Sequence, residues 1–234
     1  MGGSMALGTP VSRGDPGRGS GAGDITGDTF TPGADSLLVL GVFCVASSSS
    51  EPDTVTGHDG GTTWAQVGVT TQVSSNHGLS IWVAHVGSSP SSGAVAVQRA
   101  TGGAMRAHIV EITGADVSGS LANSFVKTAT NTDYGTAASV TLSVATKTTM
   151  HWWSAQNVPT ITVENTLLDT GISYIRMAND YAAGGDSTPT ATLSANQNWG
   201  AFGVEVKEAG GAPSTNPKGP FSHPLFGPFR GPIS

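Results

Sequence analysis

Apolar and polar positions alternate in short bursts along this chain, and no stretch sustains the 3.6-residue period of an amphipathic helix. Ser36–Ala46 is apolar on both faces, the pattern of a central strand in a covered sheet. Thr62–Val69, Leu79–Val86, Ala94–Gln98 and Met105–Ile112 read as further strands. Ser139–Ala145 alternates, with Val140, Leu142 and Val144 on the face expected to be buried. Met150–Ser154, Thr160–Val163 and Ile172–Met177 follow, and Trp199–Lys207 closes the series with Phe202, Val204 and Val206 on one side. Turn signatures separate them, among them Gly57-His-Asp-Gly-Gly61, Gly87–Gly93 and Gly102-Gly103. Roughly eight to eleven short strands bounded by turns predict an all-β fold, an antiparallel β-sandwich of jelly-roll type.

The same pattern divides the chain. Residues 1–29 are Gly-rich and read as a flexible N-terminal arm. Residues 30–209 carry the strands, and the Gly210-Gly-Ala-Pro213 break opens a C-terminal tail over 210–234. That tail combines prolines with large apolar side chains: Phe221, Leu225, Phe226, Phe229 and Ile233. Gly219-Pro-Phe-Ser-His-Pro224 is echoed by Gly227-Pro-Phe-Arg-Gly-Pro232. Prolines keep such a segment extended or turning. Free tails are poor in aromatics because they have nothing to bury. The tail therefore reads as a peptide that buries its rings in a groove of its own domain, a sister subunit or a different protein, with Arg230 pairing with a carboxylate.

Only 11% of the residues are charged, and Ser, Thr, Gly and Ala dominate, which favours strands and turns over surface helices. The net charge of −6 and the absence of a basic cluster argue against nucleic acid as a partner. The charge is uneven: residues 36–209 carry −6, whereas the tail holds Lys218 and Arg230 and no acid. The single cysteine, Cys44, sits in an apolar run and reads as a buried small hydrophobe. No apolar run is long enough to predict a transmembrane helix, and the N-terminus lacks the apolar core of a secretory signal.

Candidate chemistry is sparse. His108 and Glu111 are three apart in one strand and point to opposite faces, so they cannot share a metal. His85 and His151 stand alone and read as structural histidines. No serine sits in a Gly-x-Ser-x-Gly elbow, and no phosphate-binding glycine pattern appears in strand–helix context. Asp24 and Asp28 lack calcium-loop spacing and read as turn residues. The expectation is a non-enzyme with no metal and no cofactor. Five tryptophans raise a carbohydrate alternative. Trp152 and Trp153 are adjacent on a strand and face opposite sides, so one of them is expected as an exposed ring for a glycan or an interface.

Four stretches carry a family resemblance: Phe30–Phe43, Gly60-Gly-Thr-Thr-Trp64, Ile81-Trp-Val-Ala84, and Gly102–Arg106 with Glu111-Ile-Thr-Gly-Ala-Asp116. Together they resemble a β-sandwich module of tailed-phage and prophage virion proteins, and the Gly-Pro-Phe-Arg-Gly-Pro-Ile tail resembles the termini of phage structural proteins. The resemblance implies a virion component assembled in the bacterial cytoplasm: a capsid decoration protein, a head spike or fibre base, or a tail-associated protein. Its implied partners are major capsid or tail proteins and further copies of itself, with no membrane insertion. It brings no catalytic residue. The alternative expectation is a receptor-binding module for host-surface glycan.

Overall fold

The computed structural model describes residues 6–14, 17–20, 23–46, 51–58, 63–72, 77–99, 103–143, 145–158, 160–170 and 175–210. The tail residues Phe221, Leu225, Phe226, Phe229, Arg230 and Ile233 lie outside them. The chain is all-β, with one 3₁₀ turn at Leu121–Ser124 among the described residues. Every strand pair described is antiparallel.

Three sheets form. The first contains β1 (Val11–Ser12), β2 (Gly17–Ser20), β4 (Leu37–Ala46), β6 (Ala65–Thr71), β7 (Gly78–His85) and β9 (Gly103–Ile112), in the order β1-β9-β4-β7-β6 with β2 also on β9. The second contains β10 (Phe125–Ser139), β11 (Thr149–Gln156), β12 (Ile161–Val163), β13 (Thr166–Thr170), β14 (Ile175–Ala182) and β15 (Thr190–Val206). Its order is β10-β15-β11-β14-β13, with β12 on β15. The small third sheet is β3 (Gly23–Thr26), β8 (Val95–Arg99) and β5 (Thr54–Gly57), ordered β3-β8-β5.

β4 explains the layering. Its odd-numbered side chains, Leu37, Val39 and Phe43, pack with Met150, Trp152, Phe202 and Val204 of the second sheet. Its even-numbered side chains, Leu38, Leu40, Val42 and Cys44, pack with Ile25, Val55, Val95 and Val97 of the third. A strand between two cores must be apolar on both faces, which is what Leu37–Ala46 supplies. The outer face of the second sheet is also covered: Trp153, Ala155 and Ala201 lie beneath Ala138, Val140, Val158, Ile161 and Leu193.

Several strands differ from the sequence expectation. β1, β2 and β3 lie within the segment expected as a free arm; β1 and β2 pair with β9, and β3 pairs with β8. Main-chain hydrogen bonds need no side-chain pattern, so Gly-rich strands escape a periodicity reading. Ser139–Ala145 was expected as a strand. Val140 and Leu142 are indeed buried, at 1% and 2% exposure, but they follow the end of β10 in irregular backbone. There Val140 N donates to Pro189 O and Leu142 N to Ser187 O, and Ser143 has a φ of 61°. At Gly57 and His58, where the expected Gly57–Gly61 turn begins, φ is positive, 88° and 58°; residues 59–61 lie outside the described residues.

Candidate functional site

The structure corrects the expectation of an exposed tryptophan. The rings of Trp152 and Trp153 do face opposite sides of β11, yet both are buried, at 0% and 1% exposure. Trp152 enters the core between the first and second sheets, and Trp153 lies under the covering segments on the outer face. Opposite faces imply one exposed ring only when one face of the sheet is bare, and here neither is.

Around Trp153 the second sheet gathers its most concentrated polar cluster. His151 and Asp180 are direct cross-strand partners on β11 and β14, so their side chains share the outer face. His151 Nδ1 stands 3.4 Å from Asp180 Oδ2, and both side chains are fully buried. Trp153 Nε1 donates to Asp180 Oδ1 at 2.7 Å. Asp186, just beyond β14, is fixed from three sides: its N–H donates to Thr149 Oγ1, and its carboxylate accepts Asn165 Nδ2 and Thr188 N. Burial raises the Asp186 pKa, but the Asn165 and Thr188 hydrogen bonds and the nearby His151 outweigh it, leaving the carboxyl below its ordinary value. A histidine held by an aspartate is a familiar acid–base pair. Here the pair is enclosed, so no substrate reaches it in this conformation, and the cluster acts as a polar clamp between β11 and β14.

The other singled-out polar residues are brought to separate places. His108 Nε2 meets Ser12 Oγ at 2.9 Å, whereas Glu111 accepts Arg13 Nε at 2.6 Å and Gly33 N at 2.8 Å. His85 Nε2 meets Ser124 Oγ at 2.7 Å. Burial lowers the His85 pKa, with the Asp116 carboxylate opposing. Among the described residues, no group of three or more His, Cys, Asp or Glu side chains could hold a metal ion.

One open concavity lies on the third sheet. A cavity of about 250 Å³ is lined by Asp24, Asp53, Thr54, Gln98 and Arg99. The register puts Asp24, Gln98 and Thr54 in one rank across β3, β8 and β5. Gln98 Nε2 donates to Asp24 Oδ2 at 3.0 Å, and Thr54 Oγ1 donates to Gln98 Oε1 at 2.8 Å. The rank presents carboxylate, amide and hydroxyl groups to solvent, suited to hydrogen-bonding a small polar ligand. Arg99 alternates inward on β8 with Val95 and Val97 and is 2% exposed. Sequence reading missed this rank because it joins residues 24, 54 and 98 through pairings of two short strands that carry no apolar alternation.

A further exposed feature is an edge. Tyr134 on β10 is 61% exposed and Val126 is 53% exposed. β10 pairs with β15 on one side and with no other described strand. Comparison with protein-family models, with curated proteins and with solved structures finds no match to this chain.

Proposed function

We propose that the chain is a non-enzymatic structural component of a phage or phage-like particle, a capsid decoration, head-spike or tail-associated protein. The observation that carries this reading is the terminal sequence Gly219–Ser234, with its repeated Gly-Pro-Phe and five large apolar residues among four prolines. Such a peptide cannot bury its rings by folding alone, and it fits an anchor that seats Phe221, Phe226 and Phe229 in a neighbouring protein. The sandwich is then the displayed body. Many weak anchors on one particle give strong retention without a large interface per copy. The resemblance to virion modules supports the same reading. Its apolar stretches correspond to β4, β7 and the neighbouring β9, the strands that form the middle of the first sheet.

The test is to purify particles released by the producing bacterium and to look for the chain by mass spectrometry and immunogold labelling. The proposal expects a regular copy number per particle and labels at fixed positions. A chain found only in the soluble lysate overturns it.

A second reading, contact with host-surface glycan, is favoured by the Asp24–Gln98–Thr54 rank and its cavity rather than by Trp152 or Trp153. Glycan-array binding that is lost in Gln98→Ala but kept after tail deletion separates this role from anchoring. No binding to any glycan rejects it.

A further inference from the structure

The geometry points to a homodimer closed by antiparallel pairing of β10 with β10 of a second copy, about a two-fold axis at Thr130. The inference does not rest on the particle role, because it concerns the isolated chain in solution.

β10 is an edge strand without proline, and between its register shifts at Phe125/Lys127 and Gly135/Ala137 it runs regularly from Lys127 to Gly135. Long open edges present a row of backbone donors and acceptors that recruit another strand. The orientation of those groups is visible. Thr132 N donates to Asn131 Oδ1 at 2.9 Å, and Tyr134 N donates to Asp133 Oδ1 at 2.8 Å. The N–H groups of residues 132 and 134 therefore turn away from β15, and by the two-residue alternation so do those of Thr128 and Thr130. The short side-chain caps from Asn131 and Asp133 shield the edge at two points and are exchangeable for backbone partners.

The axis is chosen by the side chains. A two-fold at Thr130 sets residue 127 opposite 133 and 128 opposite 132. Lys127 then faces Asp133 of the second copy, twice. These are non-hydrogen-bonded pairs, in which side chains stand closest. Lys127 is 30% exposed and lies 3.7 Å from Glu205 Oε2, so its ammonium already sits on the correct face. Thr128 meets Thr132. A shift of the axis by one residue loses the charge match. An isologous contact of this kind closes at two copies rather than propagating.

The test uses single cysteines on the full chain; Cys44 is buried and stays out of the reaction. In Thr130→Cys, the two sulfurs face each other across the axis at a Cα separation of about 5.5 Å, within disulfide reach. Mild oxidation is expected to convert most of this variant to a covalent dimer. Thr128→Cys and Thr132→Cys are each expected to form no disulfide alone and to cross-link when mixed. Asp133→Lys is expected to raise the dimer dissociation constant at least tenfold by sedimentation without shifting the melting transition. Equal cross-linking from all three positions overturns the register. A chain that stays monomeric throughout overturns the proposal, and so does one that cross-links only after residues 211–234 are removed, since the tail then occupies the edge.

Discussion

Trp152 of the second sheet occupies the space that a side chain at Gly41 of the first would need: a Cβ there would stand 2.6 Å from the indole Nε1. Gly41 lies mid-strand, between Leu40 and Val42 on β4, where a glycine otherwise weakens a strand. Its role is the close approach of the two sheets. Gly41→Ala is expected to destabilise the fold by about 1–3 kcal/mol through overpacking, and Trp152→Ala by about 3–5 kcal/mol through the cavity left. Urea unfolding of the two variants checks both values.

The Trp153–Asp180 hydrogen bond gives a second prediction. Trp153→Phe keeps most of the ring volume but removes the donor to a fully buried carboxylate. The expected cost is about 1–3 kcal/mol. Asp180→Asn retains an acceptor for the indole and is expected to cost less than Asp180→Ala. Equal losses for the two Asp180 variants would mean that the hydrogen bond contributes nothing.

Asp116 predicts acid sensitivity. Lys207 Nζ lies 2.8 Å from its Oδ2, and Ser118 donates to Oδ1 from both N and Oγ. The Lys207 and Ser118 hydrogen bonds hold the carboxyl well below the usual carboxylate range. A depressed folded-state pKa contributes stability above the unfolded-state value, near 4, and that contribution is lost as pH falls below it. Asp116→Asn is therefore expected to lower the melting temperature at pH 7, with the gap to the wild type narrowing as pH falls from about 4 toward 2. A gap as wide at pH 2 as at pH 7 would assign the effect to packing.

Cys44 predicts protection. Burial is the main cause of its thiol pKa rising to about 12, with Arg99 opposing. The thiolate is the reactive species, so native chain at pH 8 is expected to resist iodoacetamide and to label fully once unfolded. Rapid labelling of the native chain would show that the core between the first and third sheets opens locally.

The strands apolar on both faces were legible in the sequence. β4, β7 and β9 lie close to their expected bounds because each contributes to buried faces and is mostly apolar. β10, β13 and the first half of β15 were not legible. Thr128–Thr132 reads as Thr-Ala-Thr-Asn-Thr, polar on both faces, because an edge strand needs only main-chain pairing on one side. Missing those strands also hid the outer cover of the second sheet, to which Leu193 of β15 and Ile161 of β12 contribute. For that reason one ring of the Trp152–Trp153 pair was expected in solvent. The opposite facing of His108 and Glu111 followed from the two-residue period alone and is present. The polar rank of Asp24, Gln98 and Thr54 depends on register across three short strands, which composition does not encode.

The central claim is that the C-terminal segment anchors an otherwise independent sandwich to a particle. It is tested most directly by comparing incorporation of the full chain with that of a chain lacking residues 214–234, expressed at equal levels during particle assembly. The account predicts that the truncated chain keeps a cooperative melting transition and is absent from purified particles. Incorporation of the truncated chain at the level of the full chain would contradict it.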